Sequence, residues 1–495
     1  MPAPLSVRAG DADPGSLKEE KKSYTLLTVK IAQPVLVRLF QFPRKAYGIP
    51  TIADRISPIQ NVCAICQPKT RRLRQQPRQD VCHDVECYNR AMPSLPRSPD
   101  PMHNSIFTAA VHSGHIVSKP GVPSNIPIVT ASGWSHASME ALDAALGDEQ
   151  AGYVYSRNAA PTQEAFEAAM AALENGAGAV AFASGMAAMH AALLAAGAKP
   201  GATLVAATEL YGATQTLLKF LIANDHITVR WVNIRDLAEV EAALSGAQGG
   251  CLLFEVISNP LCRVADAPAL VELARRRAAR VVVDSTFTSP YLIHPLELGA
   301  DFVMHSATKY IGGHGDVLAG VVVAASAADA AALRETRRLL GATLSPFDAY
   351  LALRGLRTLP LRVREQNHNA HRLAGWLARH PRVARVYYPG RPEDPDHAVA
   401  QRILRPGCFG AMLAFDLKGA GRAEVFAFME KLKVIQRIAS LGDVATLASY
   451  PAHASHRALT PEGRAALGIG DGCVRLSAGI EDADDLTADL EQALR

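Results

Sequence analysis

Apolar residues along most of the chain follow two rhythms. Short apolar runs of four or five residues alternate with longer Ala- and Leu-rich stretches whose apolar positions recur at helical spacing. Val180–Ala183, Thr203–Ala206, Cys251–Glu255, Arg280–Asp284 and Phe302–His305 are predicted as buried strands, with helices over Gly185–Ala196 and Pro268–Arg277 among them. Strands alternating with helices predict an α/β fold with a mostly parallel central sheet covered on both faces. From about residue 361 the rhythm changes. A helix over Asn369–His380 and separate strands at Val383–Tyr387 and Ala411–Asp416 predict a smaller C-terminal α+β domain. No internal repeat is visible.

Residues 1–101 keep neither rhythm. They mix Pro, Gln and Arg and end in the breaker-rich Pro93-Ser94-Leu95-Pro96-Arg97-Ser98-Pro99. Charge divides at the same place. The net charge of +4 hides 16 Lys and Arg against 9 Asp and Glu in residues 1–101, which leaves 35 against 38 in the rest. The body therefore carries no nucleic-acid footprint. A chain of 495 residues, 49% apolar and 20% charged, suits a globular protein of two or three domains. Lys30 and Arg38 interrupt the only apolar stretch near the start, so no leader peptide is expected. The run Val317–Leu333 is broken by Asp329 and too short to span a bilayer. A cytoplasmic protein with no membrane partner is expected.

Cysteines divide likewise. Cys251, Cys262, Cys408 and Cys473 are scattered through the body and are expected to behave as small buried hydrophobes in a reducing compartment. Cys63-x2-Cys66-x15-Cys82-x4-Cys87 comes near a zinc-ribbon spacing, but its second pair is too wide. The favoured reading of residues 1–101 is a disordered extension, or sequence upstream of a true start at Met102, with no metal. A small zinc-holding module that binds nucleic acid or a protein is the competing one.

In a parallel sheet, ligands gather at the carboxyl ends of the strands, and polar residues cluster at four such places. Ser184-Gly185-Met186 opens an Ala-rich helix whose free N–H groups suit a phosphate. A small-residue helix start serving only packing is the plainer alternative. Asp284 closes the apolar run Val281-Val282-Val283, where a carboxylate needs a cation such as a pyridinium N–H; the plainer reading is a helix cap. Ser306-Ala307-Thr308-Lys309 places two hydroxyls before a lysine that burial would make nucleophilic, with Gly312-Gly313-His314-Gly315 after it. Tyr153-Val154-Tyr155-Ser156-Arg157 precedes Pro161-Thr162 and can present Tyr155 and Arg157 to one phosphate, although a surface pair is the ordinary reading.

Taken in order, these motifs resemble the pyridoxal-phosphate (PLP) dependent Cys/Met-metabolism, or trans-sulfuration, family. The resemblance runs from about residue 102 to the C-terminus through Y-S-R…P-T, S-G-M, L-Y-G, S-N-P, V-D-S-T-F, S-A-T-K-Y and R-L-S-A-G-I-E. It implies the aspartate-aminotransferase-like architecture of fold type I PLP enzymes. The implied layout is the extension at 1–101, an arm reaching a neighbouring subunit at 102–162, a large PLP-binding domain at 163–360 and a small domain at 361–495. It implies Lys309 as the Schiff-base lysine and proton shuttle, Asp284 on the pyridinium nitrogen, and Tyr211 stacked on the ring and active in proton transfer. Gly185, Met186, Ser306 and Thr308 would bind the phosphate, with Tyr155 and Arg157 reaching a neighbouring subunit's phosphate and Tyr155 bordering its substrate. Asn259 would lie beside the ring's 3-oxygen, and Arg475 with Ser440 would hold the substrate carboxylate. A homotetramer built as a dimer of dimers follows.

The activity implied is elimination or replacement at Cγ of a sulfur amino acid or an O-acylhomoserine. Three positions depart from the family pattern. Ala160 stands where Asn usually precedes Pro-Thr, with Asn158 two residues earlier. Ser285 replaces Asn after Asp284. Ala439, before Ser440-Leu441-Gly442, stands where cystathionine γ-synthases and γ-lyases place a Glu, so substrates smaller than cystathionine are favoured. Against methionine γ-lyase, Ala213 follows Tyr211-Gly212 where that enzyme has a Cys. Cystathionine γ-synthase and cystathionine γ- or β-lyase are the alternatives within the family. An aminotransferase, which would consume a keto-acid acceptor, and a catalytically silent binding protein, which would show no cofactor absorbance, are the readings outside it.

Overall fold

The computed structural model describes residues 105–114, 123–147, 151–247 and 250–495. The chain divides into units Met1–Asp80 and Val81–Arg495, and every described residue belongs to the second. The N-terminal cysteine quartet, Met102 and both readings of residues 1–101 lie outside the described residues.

Seven strands build the large sheet: β1 (Gly178–Phe182), β2 (Thr203–Ala207), β3 (Thr228–Val232), β4 (Cys251–Glu255), β5 (Arg280–Asp284), β6 (Phe302–His305) and β7 (Gly320–Ala324). Their order is β1-β7-β6-β5-β4-β2-β3, with β7 antiparallel to both of its neighbours and every other pairing parallel. The mostly parallel sheet is therefore present, with the five predicted strands at or within two residues of their expected bounds. β4 is buried at all five positions, as a strand covered on both faces must be.

Helices start where the sequence supplies a cap. Ser184, Asp236, Asp266, Ser326, Ser345 and Asp482 each accept a first-turn N–H with their side chains. The helix Gly185–Ala195 follows β1 directly and carries no charged residue, so it sits in the core, with Ala188, Met189, Ala192 and Leu193 fully buried. At Ala160 the expected cap is missing, but Pro161 supplies the helical φ and the helix Pro161–Leu173 forms.

The smaller sheet has order β10-β11-β12-β9-β8, from β8 (Val383–Tyr387), β9 (Met412–Leu417), β10 (Gln436–Arg437), β11 (Leu447–Ser449) and β12 (Cys473–Ser477). The helix Leu359–Leu377 crosses residue 361 without a break. Its first turns, with Leu359 and Val363, belong to the large core; Ala370, Leu373, Ala374 and Leu377 belong to the small one. The two cores thus share one rigid element. Arg362, on that helix, donates to the carbonyls of Tyr310, Ile311 and Gly355, and so clamps the turn that follows Lys309.

Of the four body cysteines, Cys251, Cys262 and Cys473 are buried and Cys408 is half-buried, all as free thiols. Among the described residues no helix is long and apolar enough to cross a membrane.

Candidate active site

The carboxyl ends of β1, β4, β5 and β6 lie along one edge of the large sheet. β5 ends in Asp284 and pairs in register with Glu255, the last residue of β4, so two buried carboxylates stand side by side. Asp284 Oδ1 accepts the N–H of Thr286 at 2.9 Å, a local turn that meets the plainer expectation for this acid on one oxygen only. Burial pushes the Asp284 carboxyl above its ordinary range, against that turn and nearby His305. Among the described residues no Lys or Arg lies within ion-pair distance of either carboxylate. Such a pair suits a cationic N–H donor from a ligand.

β6 ends in His305, whose Nε2 lies 2.6 Å from Glu174 Oε1 in a fully buried pair. The chain then turns through Ser306 and Thr308 to Lys309. Thr286 Oγ1 accepts the Ser306 N–H at 2.9 Å and ties the ends of β5 and β6 together.

A Cβ on Gly185 would come within 2.9 Å of the Ser306 side chain, so only glycine lets this helix start close on the turn. Ser184 caps the Ala187 N–H at 3.2 Å, while the N–H groups of Gly185 and Met186 precede any intrahelical partner. With Ser306 they form a cradle of donors shaped for a phosphate. The Thr308 hydroxyl donates to Ala319 O at 3.1 Å and accepts the Ala319 N–H at 3.0 Å. To donate to a phosphate it would have to release that carbonyl.

Lys309 Nζ donates to Ser440 Oγ at 2.8 Å. Burial, then the positive field of Arg475, lowers the Lys309 amine below the usual lysine range. Ser440 stands on the loop between β10 and β11. Gly442, at φ +77°, presses that loop onto the Lys309–Tyr310 backbone, where a Cβ would lie 2.6 Å from Tyr310 N. Gly442 N donates to Ser477 Oγ at 2.8 Å.

Arg475, in the middle of β12, is 4% exposed. Its Nη1 donates to Asn259 Oδ1 at 2.8 Å and its Nη2 to Ser440 O at 3.0 Å. Its Nε has no partner, and no carboxylate pairs with it among the described residues. A buried guanidinium with neutral acceptors and an orphan donor is built for an anionic ligand.

Tyr211 heads the helix Gly212–Asp225 with its ring exposed, and its N–H donates to Glu255 Oε1 at 2.5 Å. Tyr155 and Arg157 are also exposed. The Arg157 guanidinium lies 5.3 Å from the Tyr155 ring centre and donates to Arg338 O at 2.8 Å. No hydrogen bond or ion pair among those described joins either residue to Lys309, Asp284 or Arg475.

The structure thus gathers Lys309, Ser440, Arg475 and Asn259 in one hydrogen-bonded group, and brings Asp284 and Tyr211 together around Glu255. Glu255 escaped the sequence reading. It closes an apolar strand as Asp284 does, but no local motif accompanies it, and its partners Tyr211 and Asn259 are brought to it only by the fold.

A family model described as Cys/Met metabolism PLP-dependent enzyme matches residues 107–495. The L-methionine gamma-lyase of Pseudomonas putida is 42% identical over 393 residues, 78% of this chain and 96% of that protein. The cystathionine gamma synthase of Xanthomonas oryzae pv. oryzae, solved with aminoacrylate and cysteine, superposes with a TM-score of 0.74 at 40% identity, covering 79% of this chain and 98% of that one. A putative O-acetylhomoserine (thiol)-lyase of Campylobacter jejuni, solved with a pyridoxyl-lysine phosphate, gives a TM-score of 0.75 at 28% identity, covering 79% and 100%.

Proposed function

The chain belongs to the Cys/Met-metabolism PLP-dependent enzymes, and from that membership we propose that it acts on a γ-substituted amino acid smaller than cystathionine. It is a PLP-dependent enzyme of trans-sulfuration type, catalysing elimination or replacement at Cγ of a sulfur amino acid or an O-acylhomoserine. The observation that carries the site reading is Arg475: a buried cation with no carboxylate partner among the described residues, linked to Lys309 by hydrogen bonds that both make to Ser440. An amino acid supplies the missing carboxylate there and an amine at Lys309.

PLP, when bound, supplies an electron sink for the charge left on Cα as its proton departs. The protein's own residues do the rest. Asp284 holds a proton at the ring nitrogen. Gly185, Met186, Ser306 and Thr308 would hold the phosphate, and Thr308 also braces the turn through Ala319. Lys309, its amine brought below the usual lysine range by burial and Arg475, would hold the cofactor and move a proton at Nζ. Ser440 Oγ directs that amine, Tyr211 would cover the ring and serve the departing group, Asn259 would border the ring's 3-oxygen, and Arg475 with Ser440 fixes the carboxylate.

Exposed Tyr155 and Arg157 support a shared site, in which each copy completes the phosphate contacts of a neighbour within a dimer of dimers. The large domain at 163–360 and the small one at 361–495 are joined by the helix Leu359–Leu377. An intracellular location remains part of the same reading.

Ala439, exposed beside Ser440, gives the distal ammonium of cystathionine no partner. The test incubates holoenzyme separately with methionine, with cystathionine, and with an O-acylhomoserine plus sulfide, and measures keto acid and thioether. Turnover of methionine or the O-acylhomoserine is expected to exceed that of cystathionine; a clear preference for cystathionine overturns the proposal.

A further inference from the structure

We infer that Glu255 is a positioning residue that sets the Tyr211 and Asn259 loops from a single carboxyl group. The inference rests on the reading of Arg475 as the holder of the substrate carboxylate.

The geometry is particular. Glu255 Oε1 accepts the Tyr211 N–H at 2.5 Å, and Oε2 accepts the Asn259 N–H at 3.2 Å. One side chain therefore anchors two loops that reach the site from separate strands, one after β2 and one after β4. Asn259 passes the constraint on, because its Oδ1 receives Arg475 Nη1 at 2.8 Å. A shift at Glu255 would move both the residue that covers the ring and the partner of the carboxylate-binding arginine.

Glu255 and Asp284 pair in register on neighbouring strands about 4.8 Å apart, and Glu209 from the segment after β2 also faces Glu255. Burial first, then Asp284, pushes the Glu255 carboxyl well above its usual range, against its two N–H bonds.

Glu255→Asp and Glu255→Gln test the span of the side chain. Asp is too short to reach both loops, whereas Gln keeps the length and sets an NH2 group against one backbone N–H. In holoenzyme, Glu255→Asp is expected to raise KM for the amino acid about tenfold with a smaller change in kcat, and Glu255→Gln to raise it less. Parent KM in both variants, or lowered thermal stability with KM unchanged, overturns the inference. Should Glu255→Gln fail to fold, the KM of Glu255→Asp decides alone, and a parent KM is the negative result. Lys309→Ala runs beside them. If it keeps the lysine-bound absorbance, the reading of the site itself fails; if it loses it while both Glu255 variants match the parent, only this inference fails.

Discussion

Lys309 Nζ and Ser440 Oγ, 131 residues apart in sequence, meet at 2.8 Å where the turn after β6 faces the loop between β10 and β11. The large sheet supplies the amine and the small sheet's loop aims it. This hydroxyl is the shortest route by which a change in the small domain reaches the reacting atom.

That link predicts a graded pair of variants. Lys309→Ala is expected to abolish turnover and the lysine-bound absorbance together. Ser440→Ala should keep the absorbance and lower kcat/KM by about tenfold, since one partly exposed hydrogen bond contributes about 1 kcal/mol. Steady-state rates alongside absorbance spectra check both. Equal losses in the two variants would mean that Ser440 does more than aim the amine.

Arg475 predicts a different signature. Arg475→Lys keeps the positive charge but loses the planar fork that meets Asn259 Oδ1 and Ser440 O at once. KM for the amino acid is expected to rise by about 10- to 100-fold, or roughly 1.5–3 kcal/mol, with the cofactor spectrum unchanged. The readout is the split between KM and kcat. A fall in kcat at constant KM would place Arg475 away from the substrate carboxylate.

Gly442 tests how the aiming loop is held. At φ +77°, with the Tyr310 backbone where a Cβ would stand, Gly442→Ala is strained twice over. About 1–3 kcal/mol of stability should be lost from the backbone conformation alone, and more if the loop must lift. Thermal unfolding measures the loss, and weaker cofactor retention is expected with it, because a lifted loop takes Ser440 from Lys309. Gly375, on the exposed side of its helix and with nothing closer than 3.9 Å to its missing Cβ, is the control position that should tolerate Ala.

Much of this architecture is legible in the sequence, and the gaps have identifiable causes. β4, β5 and β6 match their expected bounds because each is an uninterrupted apolar run ended by a polar residue. β7 was hidden because its valines merge with the Ala-rich start of the helix Ala327–Leu340, so one apolar run from Val317 to Leu333 holds a strand and a helix. β3 is a sheet-edge strand, mostly half-exposed, and lacks a continuous apolar run. Lys309, Asp284 and Arg475 were visible through local motifs. The pairing of Asp284 with Glu255 was not, since register between strands 29 residues apart is a property of the sheet. The contacts of the Thr308 hydroxyl with Ala319 were not legible either, because they join residues across the turn after β6.

The pH dependence of stability follows from His456. Burial first, then Arg475 and Arg464, lowers this imidazole from 6.5 to about 4. In the unfolded chain it takes up a proton near its ordinary value, whereas in the folded chain it resists until much lower pH. Its contribution is therefore fully present above about 6.5 and is lost as pH falls towards 4. Melting temperatures of the parent and His456→Gln across that interval are expected to converge on acidification, with the parent losing more. Parallel curves would show that His456 titrates alike in both states.

Ala439 carries the substrate question to a single position. It is exposed on the same loop as Ser440, three residues before Gly442, whose missing Cβ would meet the Lys309–Tyr310 backbone. On the proposed reading, a carboxylate placed there meets the distal end of a long substrate. Ala439→Glu should therefore raise kcat/KM for cystathionine by about tenfold, the order of one charge-assisted hydrogen bond, and lower it for uncharged γ-substituents such as the methylthio group. The ratio of the two kcat/KM values is the quantity to measure, because it cancels any general loss of fold or cofactor. A rise in cystathionine turnover alone would show the attraction, and a concurrent fall for methionine would show the desolvation cost of an unpaired carboxylate. If the ratio stays at its parent value, the distal group lies elsewhere, and the pocket beside Tyr211 and Ala213 becomes the position that sets substrate size.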